Sequence, residues 1–375
     1  MKTYMFPGQG SQYRGMGATL FDEYPELTQL ADSILGYSIR ELCMDDPQQQ
    51  LHQTGYTQPA LYVVNALSYR QKLKETGSYP DFVAGHSLGE YNALESAGAI
   101  RFEDGLQLVK KRGELMSQAA KGAMAAVLGP TEQDIRDILE KNGLTGIDIA
   151  NINSPSQTIL SGLVEDINQA QDCFVGGSVK FIPLNTSGAF HSRYMAPAQA
   201  EFERYLQGFN FVQLTIPVIS NVQAKPYHQQ QIAANLARQI THPVRWSESM
   251  QYLISQGVLD FVELGPGTVL TKLIQTIREQ AISAPAAAKP SPAVTTPETL
   301  STAAYTHDRG QATDALNKKI HDWNQSHPIG TPVIVKGYQG IMATKSNAVI
   351  LFGHRAAIYL EGYNGYFALD EVSPV

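Results

Sequence analysis

Residues 81–100 read DFVAGHSLGEYNALESAGAI, and their centre, Gly85-His86-Ser87-Leu88-Gly89, fits Gly-x-Ser-x-Gly. The short apolar run Phe82-Val83-Ala84 predicts a buried strand ending at Gly85. The residues after Ser87 carry helical apolar spacing. Strand, tight turn and helix in that order form a nucleophile elbow, which exposes a serine hydroxyl beside the free N–H groups of a helix start. A serine that merely caps an ordinary helix would not need Gly at both 85 and 89.

The same alternation extends outward. Thr3-Tyr4-Met5-Phe6 is β-prone and ends at Pro7-Gly8. Residues 57–77 and 102–122 carry helical spacing, with Pro59 expected in a first turn and Gly77 as a stop. Strands alternating with helices predict an α/β fold with a parallel sheet. From Gly122 the order becomes βαββαβ, ending at VKFIPL, which is the ferredoxin-like pattern. Residues 123–187 therefore read as a small subdomain inserted into a larger one formed by 1–122 and 188–280. After it, a helix at 195–207, a strand at 217–221, a helix at 228–241 and DFVELGPG (260–267) resume the α/β pattern. Residues 281–306, rich in Ala, Pro, Ser and Thr, read as a flexible linker. Residues 307–375 read as a small β-rich domain with one helix, over 312–325.

The chain has 375 residues, 43% hydrophobic and 17% charged, with a formal charge of −7. It is long enough for a large core, and its charge argues against general nucleic-acid binding. Cys43 and Cys173 lack CxxC spacing and read as buried structural thiols. The first ten residues reach Pro and Gly too early for a signal peptide, and no apolar run approaches the roughly 20 residues of a membrane span. A soluble cytoplasmic protein is expected, without nucleic-acid or membrane partners.

Four constellations carry possible chemistry. Ser87 is the candidate nucleophile. The loop PGQGSQYRGMG (7–17) fits neither GxGxxG nor a P-loop; as a tight loop after the first strand it could instead offer the Gln9 backbone N–H to an oxyanion, with the Leu88 N–H as its partner. His191, where the chain re-enters the larger subdomain, is the best placed of nine histidines to serve Ser87 as a base. Arg112 shares a helical face with Leu108, Leu115 and Met116, whereas Lys110 and Lys111 point more outward. An inward guanidinium implies an anionic partner and suits a carboxylate. These residues alone leave water, an amine or a thiol open as the acyl acceptor.

With the motifs placed, the chain closely resembles the malonyl-CoA:acyl-carrier-protein transacylases. The resemblance runs through FPGQGSQ (6–12), TQPAL (57–61), AGHSLGEYNAL (84–94), RGELM (112–116), GAMAAVLG (122–129), NINSPSQTILSG (151–162), AFHSRYM (189–195), RQITHPVRW (238–246) and VELGPGTVL (262–270). It implies an α/β-hydrolase-like large subdomain with a ferredoxin-like insert. It also implies a ping-pong transfer of malonyl from malonyl-CoA to an acyl carrier protein, by a monomer with no cofactor of its own. Ser87 would be the nucleophile, His191 the base, Gln9 and Leu88 the oxyanion hole, and Arg112 the malonyl carboxylate's partner. Gln239 would orient His191 through its carbonyl, His86 would support the pocket, and Phe190 would disfavour methylmalonyl. A trans-acting enzyme of a polyketide synthase fits best. Hydrolases of the same fold are the nearest rival, and Arg112 speaks for the transferase. The family pattern does not account for residues 307–375.

Overall fold

The computed structural model describes residues 1–119, 122–186, 188–283, 318–336, 340–351, 355–361 and 366–375. It divides into two compact units, Met1–Ala286 and Ala287–Val375.

The described strands of the first unit are β1 (Lys2–Phe6), β2 (Phe82–Gly85), β3 (Ala123–Leu128), β4 (Asp148–Ser154), β5 (Gln157–Gly162), β6 (Lys180–Pro183), β7 (Val218–Ile219) and β8 (Asp260–Glu263). One sheet has the order β7-β2-β1-β8 with every pairing parallel. Its side chains alternate between two cores. Tyr4, Phe6, Val83 and Val218 enter the larger one, whereas Met5, Ala84 and Ile219 enter a second with Trp246 and Leu273. A sheet covered on both faces needs apolar residues at successive positions, which is why these strands read as runs rather than alternations.

The inserted strands form an antiparallel sheet of order β4-β5-β3-β6. Ala125, Val127, Ile149 and Leu160 face the insert's own helices, Glu132–Lys141 and Val164–Gln171. Met124, Ala126, Ala150 and Ile159 join the larger core. Burying a Met or Ile side chain contributes about 1.5–3 kcal/mol, so Met124 and Ile159 fasten the insert to its host while Ala126 and Ala150 allow close approach. Two backbone hydrogen bonds between Val244 and the Ala150–Ile152 segment, each 2.9 Å, fix its register.

Several sequence expectations are corrected. The helix expected from 57 spans Thr54–Thr76, so Pro59 lies in its second turn. The extra turn forms because the Gln53 carbonyl accepts from the Tyr56 and Thr57 N–H groups, while the Thr57 hydroxyl donates to Leu51 O. The helix Val269–Ser283 was not read from the sequence and takes up residues 281–283 of the expected linker; the rest of that linker lies outside the described residues. Cys43 is buried, but Cys173 is only partly so. Lys110 and Lys111 lie farther out than the buried Arg112, as expected, the first donating to Ile34 O and the second paired with Glu201.

In the second unit, a helix covers 318–326. The strands Pro332–Val335, Met342–Ala343 and Val372–Pro374 form one three-stranded sheet, and Val349–Leu351, Arg355–Tyr359 and Tyr366–Ala368 another. Val333, Val335, Ile358 and Leu360 are buried together, with Ile320 and Trp323 of the helix against them. Among the described helices, none is long and apolar enough to cross a membrane.

The turn after β2 is the tightest approach. A Cβ on Gly85 would stand 1.9 Å from the Gly89 carbonyl, and one on Gly89 2.1 Å from Phe6 O. Both obstacles are backbone and cannot rotate away. Gly85→Ala is expected to lower unfolding stability by about 3 kcal/mol, measured by denaturant titration; an unchanged midpoint would show that the turn is loose.

Candidate active site at the Ser87 turn

Ser87 sits between β2 and the helix Gly89–Ser96 with φ of +51°, a left-handed conformation that strains a non-glycine residue by about 1–3 kcal/mol. Two amide side chains hold it there. Asn221 accepts from the Ser87 N–H (2.7 Å) and donates to Gly85 O (2.7 Å). Gln239 donates from Nε2 to Ser87 O at 2.8 Å. The hydroxyl therefore projects from a fixed backbone.

Ser87 Oγ lies 2.8 Å from His191 Nε2. His191, which also has positive φ (+56°), places Nδ1 2.7 Å from Gln239 O. A carbonyl only accepts, so Nδ1 carries the proton and Nε2 offers its lone pair to the serine. Burial, and then the Arg112 charge, push the His191 imidazole down to about 3. It is neutral near pH 7 and able to accept a proton.

Arg112 is 1% exposed. It lies on the helix Phe102–Ser117, which crosses Thr54–Thr76 closely: a Cβ on Gly113 would stand 3.0 Å from Thr54 O. Its guanidinium donates to Gln58 Oε1 (2.8 Å), Gln239 Oε1 (2.9 Å) and Ser87 Oγ (3.0 Å), and lies 5.7 Å from the centre of the Tyr91 ring. Arg112 Nε has no partner among the described residues. Burial lowers its pKa, opposed by Tyr91 and Glu90. Arginine nevertheless stays protonated in proteins. A buried cation hydrogen-bonded to neutral oxygens is a ready site for an anion.

The remaining expected residues fall around this centre. Gly8 packs against the His86 carbonyl, which a Cβ would approach to 2.4 Å, so the Gln9 loop lies on the Ser87 turn. Among the described residues, neither the Gln9 nor the Leu88 N–H donates to a protein acceptor. The Gln9 side chain donates to Thr54 Oγ1 at 3.3 Å. His86 turns away from Ser87, with Nε2 2.9 Å from Asn153 Oδ1 in the insert and its ring against Trp246. Phe190 is buried and packs closely on Gly188. Two open grooves, of about 400 and 390 Å³, are lined by other residues.

Gln58, Glu90, Asn221 and Tyr227 were not singled out from the sequence. Glu90 is fully buried; it accepts from Asn221 N (2.8 Å), Tyr227 OH (2.8 Å) and Gln239 Nε2. Burial pushes its carboxyl up to about 7, against the pull of these donors and of Arg112. The available signal was a carboxylate at a position sharing a helical face with Ala93, Leu94 and Ala97.

The acyl transferase domain model matches residues 3–313. The polyketide biosynthesis malonyl CoA-acyl carrier protein transacylase BaeC of Bacillus velezensis is 56% identical over 288 residues, covering 76% of this chain and 100% of that one. The solved malonyl CoA-acyl carrier protein transacylase of Burkholderia pseudomallei is 52% identical, with a TM-score of 0.73 over 75% of this chain and 98% of that one. A malonyl-transacylase solved in complex with a type II polyketide acyl-carrier protein is 35% identical, with a TM-score of 0.71 over 74% and 94%. With its parallel sheet, its inserted antiparallel subdomain and these matches, the chain belongs to the acyltransferases, in the family of malonyl CoA-acyl carrier protein transacylases.

Proposed function

We propose that this chain moves malonyl from malonyl-CoA to the phosphopantetheine thiol of an acyl carrier protein, by a ping-pong mechanism, for polyketide or fatty-acid chain extension. The observation that carries this reading is the buried Arg112 guanidinium held on neutral oxygens, 3.0 Å from the Ser87 hydroxyl that also meets His191. An acyl group that ends in a carboxylate would satisfy Arg112 with its carbonyl carbon beside Ser87. The name of the BaeC relative supports a polyketide pathway.

His191 Nε2 takes the Ser87 proton as Oγ attacks the thioester carbonyl. Charge on the tetrahedral oxygen is met by the Gln9 and Leu88 N–H groups. The C–S bond breaks, and CoA leaves as a thiol with the proton from His191. In the second half the carrier's thiol gives its proton to His191 and attacks the malonyl-serine ester, and Ser87 regains its proton. Gln239 O holds the imidazole tautomer in place of a carboxylate, so Ser87 and His191 act as a dyad. Phe190 would crowd the malonyl α-carbon; one methyl discriminates by about 1–3 kcal/mol. No cofactor enters these steps, because phosphopantetheine arrives on the partner.

The large subdomain is read as α/β-hydrolase-like. The order β4-β5-β3-β6 supports reading the insert as ferredoxin-like. Residues 307–375 are read as a small β-rich domain tethered to a cytoplasmic, monomeric enzyme.

A transfer assay followed by intact mass tests the reading. Malonyl-CoA with holo-carrier protein should yield malonyl-carrier at many turnovers, while without carrier the enzyme should stop after one acylation. Catalytic release of free malonate without carrier would instead make the chain a hydrolase.

A further inference from the structure

Glu90 and the Gln239 side chain take no part in the steps above, yet Gln239 links Ser87, His191 and Arg112, and Glu90 holds Gln239. Gln239 O accepts from His191 Nδ1 (2.7 Å), Oε1 accepts from Arg112 Nη2 (2.9 Å), and Nε2 donates both to Ser87 O (2.8 Å) and to Glu90 Oε2. One residue thus touches the nucleophile's backbone, the base and the guanidinium. Glu90 secures it from behind and also secures the other clamp on Ser87. Its Oε1 accepts from the backbone N–H of Asn221, whose side chain holds Ser87 N and Gly85 O. Tyr227 OH donates to the same oxygen at 2.8 Å.

We infer that Glu90 is a positioning residue: it anchors Gln239 and Asn221, the two amides that hold the Ser87 turn, and through Gln239 it aims Arg112 at the substrate carboxylate. This rests on the malonyl-transfer reading and deepens it. The chemistry is one of matched signs. Burial works against the charge on Glu90, but the three donors that face its two oxygens call for the ionised, acceptor-only form. Glu90→Gln can keep one oxygen for Asn221 N–H and Tyr227 OH, but it turns an NH2 toward the Gln239 NH2. Two donors then face each other in a buried site, and the Gln239 amide is driven off Arg112. The backbone carbonyl of Gln239 stays with His191, so acyl transfer as such should suffer less than carboxylate recognition.

The test is a double-mutant cycle with malonyl-CoA and acetyl-CoA as donors, using the full chain and a holo-carrier protein. E90Q and Q239A are each expected to lower kcat/KM for malonyl-CoA by about 10- to 100-fold. Each should lower the malonyl-over-acetyl preference by about tenfold, a readout that loss of folded protein would not move. Because both substitutions break the same link, E90Q/Q239A should fall within about threefold of the weaker single variant. Unchanged acyl preference in both single variants, or losses that multiply in the double, would overturn the inference. If E90Q does not fold, E90D replaces it and should show a preference between wild type and Q239A; wild-type preference in E90D and Q239A alike overturns the anchor. Wild-type protein that moves no malonyl at all would contradict the proposed function instead, so the two failures are distinguishable.

Discussion

Ser87→Ala is expected to leave no malonyl adduct after incubation with malonyl-CoA and to lower transfer by about 10⁴-fold or more. The substitution removes the one oxygen that, among the described residues, both His191 Nε2 (2.8 Å) and Arg112 Nη2 (3.0 Å) reach. His191 Nε2 then has no side-chain hydroxyl to activate, and its other nitrogen is committed to Gln239 O. The fold should tolerate the change. Alanine is smaller, the clamps from Asn221 and Gln239 act on the Ser87 backbone, and the strained φ of +51° persists with either residue. Intact mass and a thermal melt together check this. A retained adduct would move the nucleophile elsewhere; a collapsed melt would mean that the loss is structural.

Arg112→Ala should lower malonyl transfer by about 10²- to 10³-fold while sparing acetyl transfer. A bidentate guanidinium–carboxylate pair in a buried site contributes two charge-assisted hydrogen bonds, each about 1.5–3 kcal/mol. Acetyl offers no carboxylate and loses none of this. Stability should fall as well. Gln58 Oε1 and Gln239 Oε1 would lose their Arg112 donor, at about 1–3 kcal/mol for each buried acceptor left unpaired. Arg112→Lys keeps the charge without the planar fork and should recover only part of the malonyl rate. Steady-state rates with both acyl donors decide the matter. Equal losses for malonyl and acetyl would make Arg112 a structural residue.

The Ser87 turn could be read from residues 81–100 because local sterics write it there: Gly85 and Gly89 are where a Cβ would strike backbone. The alternation of strands and helices was equally local. Arg112 was legible as an inward cation through its spacing from Leu108, Leu115 and Met116, all buried. The helix Val269–Ser283 was missed because it follows directly on DFVELGPG and runs into an Ala- and Pro-rich stretch that composition marks as linker. The start of Thr54–Thr76 was missed because its first turn depends on Thr57 binding Leu51 O, six residues back. The polar support of the site was the least visible part. Asn221 reaches Ser87 across 134 residues and Gln239 across 152, so their roles exist only once β7 and the segment around Gln239 are folded beside β2. Glu90 lies in the opening stretch itself, where sharing a face with Ala93, Leu94 and Ala97 marks it as inward but does not name its partners, because Asn221, Tyr227 and Gln239 are all more than 130 residues away.

The central claim is that malonyl passes through Ser87 to a thiol. The most direct measurement isolates the acyl-enzyme after malonyl-CoA, locates the malonyl group by peptide sequencing, and divides the sample between holo-carrier protein, apo-carrier protein and buffer. A malonyl relay predicts the label on Ser87, rapid movement to the holo-carrier, and persistence with apo-carrier and in buffer alike. Label on another residue, or loss to water as fast as to the holo-carrier, would contradict it.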